Sequence, residues 1–164
     1  MLSLWNVLLG RLAAVDDLVI AVAADGRDRE EFESTSGMFV SLLPLRLSLA
    51  GGERFADVLR RNHRLHAEAM RHRSFPLGRL LSTLRAPMAP ERTLLAEVTF
   101  SYMNFAPAAG GADGFEALPV GNPSCKADLA IFVSDVGPRM SFALEYYADL
   151  FDAARIERMG RDFL

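Results

Sequence analysis

Apolar and polar positions alternate along this chain in two distinct periods. "LWNVLLGRLAAV" places Leu4, Val7, Leu8, Leu12 and Val15 at helical spacing, which predicts an opening helix with that stripe inward. "DLVIAVAADGR" is apolar on both faces, the pattern of a central strand, and ends at the turn signal Asp25-Gly26. The polar run "RDREEFESTS" predicts a loop or a short helix, and "GMFVSLLPLRLSL" a long strand bent at Pro44 and closed by Gly51-Gly52. "ERFADVLRRNHRLHAEAMRHR" is an amphipathic helix whose stripe is Phe55, Val58, Leu59, Leu65, Ala69 and Met70. "SFPLGRLLSTL" predicts a shorter helix with Pro76 near its first turn.

The second half alternates with period two. Strands are expected over Leu95–Asn104, Leu129–Ser134 and Ser141–Tyr147, the last two as a hairpin around Val136-Gly137-Pro138. With Val19–Ala23 and Phe39–Leu47 they make five. A closing helix carries Ile156, Met159 and Phe163 on one side, with Asp149 as the expected N-cap. The predicted class is α/β: a mixed sheet with helices packed on it.

Composition narrows the field. The 164 residues are 51% hydrophobic and 24% charged, with a net charge of −3, so neither a nucleic-acid surface nor a membrane span is indicated. The first fifteen residues lack a basic n-region and a small-residue cleavage site, which leaves a cytoplasmic protein as the expectation. The lone cysteine, Cys125, excludes an internal disulfide.

Candidate chemistry is sparse. His63, His66 and His72 lie on or just after one helix without a second ligand pair, so no metal site is expected. No nucleophile elbow, P-loop or dinucleotide fingerprint is present. In "SYMNF", alternation sets Phe100, Tyr102 and Asn104 on one face and Thr99, Ser101 and Met103 on the other. One face is core; hydroxyls on the other suit a solvated face or a polar-dotted channel wall. Pro44 within an apolar strand demands an edge or a bend.

Six segments, taken in order, resemble the condensation domains of nonribosomal peptide synthetases. "GMFVSLLPLR" is similar to I-G-x-F-V-N-T-x-x-x-R, with Ser41 and Leu42 replacing the asparagine and threonine. "DDLVIAVAADGRDREEFE" resembles D-D-[IV]-V-[VI]-G-x-x-x-x-G-R-x-R-x-E-[LF]-E, and "RHRSFPLGRLLSTL" resembles H-Q-x-x-P-F-x-x-L-[VL]-x-x-L. "VTFSYMNF", "KADLAIFVSD" and "LEYYADLFDAARIERM" match the family's later strands and its L-E-Y-x-x-D-L-F-D close.

The resemblance implies residues 1–164 as the C-terminal lobe of a two-lobed, chloramphenicol-acetyltransferase-like domain. It implies a floor loop at about 26–36 and a latch at about 106–124 that crosses to the N-terminal lobe. Two adjacent histidines are absent, so the catalytic H-H-x-x-x-D-G belongs to the other lobe, and no catalytic residue and no activity are expected in this chain alone.

The resemblance further implies partners: the N-terminal lobe and peptidyl or acyl carrier proteins. Substrates ride on the carriers' phosphopantetheine, with no cofactor bound directly. The implied reaction is amide formation between a carrier-bound acyl or peptidyl donor and a carrier-bound acceptor amine. Arg27, Gly37, Ser41, Pro44, Arg46, Ser101, Tyr102 and Asn104 are the tunnel or interlobe candidates. For Arg27 and Arg46, turn-anchoring and ion pairing are weighed ahead of substrate contact. The alternatives are a non-catalytic half-domain that docks carriers or self-associates, and a lobe of a related polyketide or lipid acyltransferase. An isolated lobe is expected to dimerise through the face that includes Gly37–Ser41.

Overall fold

The computed structural model describes residues 1–27, 29–84, 96–104, 124–136 and 139–164. Its elements are α1 (Leu2–Ala13), β1 (Asp17–Asp25), β2 (Val40–Ser48), α2 (Phe55–Arg71), α3 (Leu77–Leu84), β3 (Val98–Met103), β4 (Leu129–Val136), β5 (Arg139–Tyr146) and α4 (Ala153–Phe163). A 3-10 turn at Glu30–Phe32 interrupts the β1–β2 connection. The strands form one mixed sheet in the order β2-β1-β3-β4-β5. β1, β3 and β4 run parallel, and β2 and β5 are antiparallel edges.

The five strands and the helices match the predicted class, with shifted ends. β3 is shorter than Leu95–Asn104, and Leu95 lies outside the described residues. Val136 pairs with Arg139, so the hairpin has a two-residue connection where expected. The latch segment 106–124, Ser124 apart, lies outside the described residues.

One face of the sheet holds the core. Ile20 and Val22 of β1, Leu45 and Leu47 of β2, Phe100 of β3, and Ile131 and Val133 of β4 pack under Trp5 and Leu9 of α1 and Ile156 and Met159 of α4. α2 lies against β2 and α1. Each large side chain taken fully from water contributes about 1.5–3 kcal/mol, so this layer dominates stability. The opposite face carries small or hydroxylated residues along its middle, among them Ala21, Thr99, Ser101 and Ala130.

Two helical stripes differ from expectation. Leu4, Leu12 and Val15 are exposed; the sheet takes the Trp5–Leu9 side of α1 instead. α1 is apolar over more than one flank, and the bulkier side wins because Trp5 meets Phe163 edge-on at 5.6 Å between centroids. On α2 only Val58 and Asn62 are buried, while Phe55, Leu59 and Leu65 are exposed, because the helix touches the fold along a narrow line. The N-cap of α4 is Asp152 rather than Asp149. Residues 147–151 form a turn, with Leu150 and Phe151 N–H donating to Tyr147 O.

Candidate functional site

Because β1, β3 and β4 are parallel, their carboxyl ends lie together, with the start of β2 beside them. In open α/β sheets this is the end outside which ligands bind. Arg27, Gly37, Ser41, Tyr102 and Asn104 gather there. Pro44 lies mid-strand opposite Ala21, and Arg46 near the other end opposite Val19.

Arg27 organises the loop at 26–36. Its backbone N–H donates to Asp25 Oδ1 at 3.0 Å, Nε to Phe32 O at 3.1 Å, and Nη2 to Thr35 O at 3.3 Å. Its guanidinium sits 4.4 Å from the centroid of the Phe39 ring, which itself packs on Phe32 at 5.6 Å. Two carbonyls and a ring face therefore consume this side chain, a turn anchor that holds the loop against the start of β2. Gly26 closes the same knot: its N–H donates to Phe39 O at 2.8 Å, and a Cβ there would lie 2.5 Å from that oxygen.

The close backbone approach expected at Gly37 thus falls at Gly26. A Cβ at Gly37 would meet only the Phe39 ring, at 3.4 Å. Ser41 alternates with Leu43, Leu45 and Leu47 on the core-facing side, and its Oγ is buried without a hydrogen-bond partner. Pro44 does not bend the strand: the β1–β2 register runs unbroken from Asp17↔Ser48 to Asp25↔Val40. It sits on an edge strand, where a missing N–H is harmless. Arg46 forms a fork on Asp17, with contacts of 3.0, 2.9 and 2.6 Å. This exposed ion pair holds the Asp17 carboxyl below its usual range, chiefly through the hydrogen bonds from Arg46.

On β3, Tyr102 shares the Phe100 side but projects beyond the core and is exposed. Its hydroxyl donates to Asp135 Oδ2 at 2.8 Å, which raises the tyrosine's pKa. Ser101 points to the opposite face, and Asn104 is exposed just after the strand. The pair Tyr102–Asp135 joins residues 33 apart in sequence, so no local motif announced it.

His66 is half-buried, and burial lowers its pKa, with His63 adding to the effect. Cys125 Sγ donates to Ala127 O at 2.7 Å. No group of three or more His, Cys, Asp or Glu side chains able to hold a metal occurs among the described residues. No described helix is long and apolar enough to cross a membrane. Sequence reasoning also missed a buried polar seam between α1 and α2, where Asn62 Nδ2 donates to Ser3 Oγ at 3.3 Å beside the fully buried Asn6.

Among the described residues, the geometry is a helix-backed mixed sheet that gathers side chains at one end. Solved structures share this fold. The X-domain in its complex with OxyB from teicoplanin biosynthesis matches 98% of the chain at TM-score 0.85 and 25% identity, the chain covering 36% of it. The condensation domain of the Monacolin K polyketide synthase MokA matches 99% of the chain at TM-score 0.80 and 21% identity, with 38% of that chain covered.

The condensation-domain family model matches residues 1–164, and the chain belongs to that family. Among curated relatives, chondramide synthase cmdD of Chondromyces crocatus is 33% identical over 98% of the chain. Phosphinothricin tripeptide synthetase PhsB of Streptomyces viridochromogenes is 30% identical over 98%. The chain spans 4% and 14% of those two proteins.

Proposed function

We propose that the chain is the C-terminal lobe of a nonribosomal peptide synthetase condensation domain and forms one wall of its substrate tunnel. The carrying observation is a family match over the whole chain in a sequence without adjacent histidines. Coverage of 36–38% of related solved chains fits a piece of a larger domain. In the reaction, the acceptor amine nitrogen attacks the donor thioester carbonyl. The C–N bond forms, the C–S bond breaks, the donor carrier's phosphopantetheine thiol leaves, and the amine proton is lost.

The histidine of H-H-x-x-x-D-G in the N-terminal lobe acts on the acceptor amine. This lobe aligns the two tethered arms, and holding reactants in line supplies much of such a rate advantage. The loop at 26–36, stapled by Arg27, is the tunnel floor; Gly37, Ser41, Ser101, Tyr102 and Asn104 lie at or toward the tunnel end. Peptidyl or acyl carrier proteins are the partners, and the location is cytoplasmic. The second reading, a non-catalytic module that docks carriers, draws on the same missing histidine pair.

The test joins this chain in frame to an N-terminal lobe bearing H-H-x-x-x-D-G and supplies loaded donor and acceptor carriers. The expected result is an amide-linked product on the acceptor carrier, abolished when the second histidine is changed to alanine. A folded two-lobed protein that binds both carriers and forms no amide would favour the docking module.

A further inference from the structure

The two edges of the sheet are unlike, and the β5 edge bears the marks of a self-complementary seam. Among the described residues, β5 has β4 on one side and no strand on the other, and it carries neither proline nor lysine along Arg139–Tyr146. A strand edge left in this state exposes unpaired N–H and C=O groups that another strand can complete. Arg139 and Glu145 stand at its two ends on the same face, exposed, and neither has an ion-pair partner among the described residues.

We infer that β5 pairs antiparallel with β5 of a second copy of this chain across a two-fold axis at Phe142. That register sets Arg139 of one copy opposite Glu145 of the other, twice. Residues directly opposite in an antiparallel ladder share a face, so the two charges meet as a cross-strand pair. Ser141 meets Ala143 beside them, small against small. On the helix side, Met140 meets Leu144, and Phe142 meets its own symmetry mate. No other register centred on a residue of β5 opposes Arg139 to Glu145.

The helix side has room for these apolar partners. A cleft of about 540 Å³ lies between β5 and α4, bordered by Phe142, Leu144 and Tyr146 below and Ile156, Gly160 and Phe163 above. Leu144 touches the position that a Cβ on Gly160 would occupy, at 3.6 Å, so it lies against α4 at the cleft wall. Met140 of the second copy, 38% exposed in the single chain, arrives beside Leu144 at the cleft rim. Two-fold pairing is the simplest closed symmetry, and it buries the same edge on both copies without leaving an open strand. This seam lies apart from the expected Gly37–Ser41 face, where Met38 and Val40 are exposed and the Ser41 hydroxyl is buried. The inference is independent of the condensation reading, since association and amide formation are measured separately.

The test is sedimentation velocity of the 164-residue chain over a wide concentration range. The wild type is expected to dimerise, and more weakly at high salt, because the paired charges are solvent-exposed. Arg139→Glu and Glu145→Arg each place like charges opposite one another and are expected to raise the dissociation constant about tenfold. The double variant, with the charges exchanged, is expected to return within about threefold of wild type. A monomeric wild type, a salt-independent dimer, or single variants that dimerise undiminished would each overturn the seam. So would a folded double variant that stays as weak as the singles.

Discussion

The strands β2 and β5 occupy equivalent places at the two edges of one sheet, yet the chain treats them differently. β2 carries Pro44, is tied to β1 by the Arg46–Asp17 fork, and has Arg61 of α2 donating to Ser48 O while pairing with Glu53. Its inward leucines, Leu43, Leu45 and Leu47, are buried. Among the described residues β5 has neither proline, fork nor covering arginine: its inward Phe142 and Leu144 are only half-buried, and Arg139 and Glu145 have no ion-pair partner there. Edge strands are managed by proline, charge or cover. The guarded edge belongs to the fold alone, and the other is the one the inferred second copy would pair with.

The largest break in this contrast comes from the inner faces. Leu47→Ala, at a fully buried site, is expected to destabilise the chain by about 2–5 kcal/mol, while Leu144→Ala, beside an open cleft, costs about 1–2 kcal/mol. Urea unfolding of the monomeric chain measures both; equal losses would mean that the two edges are equally committed to the core. Next is the loop that feeds β2. Arg27→Ala removes two carbonyl contacts and a ring contact, worth about 1–2 kcal/mol together. It should raise amide exchange at 29–39 while leaving β5 unchanged; unaltered exchange in the loop would remove Arg27 from its anchoring role.

A smaller effect is expected at the fork. Asp17 has a folded pKa below its unfolded value, so its contribution is present above the unfolded pKa and lost as pH falls through the folded one. Arg46→Met should therefore flatten the acid limb of stability against pH, with little change at neutral pH beyond a surface-pair loss. An unchanged acid limb would show the fork to be idle. Smallest is Tyr102, whose raised pKa comes first from its hydrogen bond to Asp135. Its contribution is present below the unfolded tyrosine value and lost as pH rises through the folded one. In Asp135→Asn, spectroscopic titration should show one phenol ionising at lower pH than in the wild type; an unmoved midpoint would dissolve the pair.

Much of this arrangement is legible from local pattern. An apolar run for β1 and alternation for the later strands locate the five described strands, and Pro44 argues for an edge, since a chain without an N–H there cannot sit between two neighbours. What is illegible depends on partners distant in sequence. α1 offers apolar residues on two flanks, and only the sheet decides for Trp5 and Leu9 over Leu4 and Leu12. Asn6 and Asn62 are polar and so look like surface residues, yet they are buried between helices. Sequence does not show which of Gly26 and Gly37 takes the close approach; the carbonyl of Phe39 over Gly26 decides it. At the candidate site, Arg27 is legible as a turn anchor from its place after Asp25-Gly26, whereas Tyr102–Asp135 depends on the β3–β4 register.

The central proposal is that this chain shapes and positions while the chemistry enters from elsewhere. The most direct measurement supplies the purified 164-residue chain with loaded donor and acceptor carrier proteins and follows both by intact-protein mass spectrometry. The account predicts that both thioesters persist apart from background hydrolysis, with no donor mass transferred to the acceptor carrier. Accumulation of the amide-linked product in proportion to the chain's concentration would contradict it.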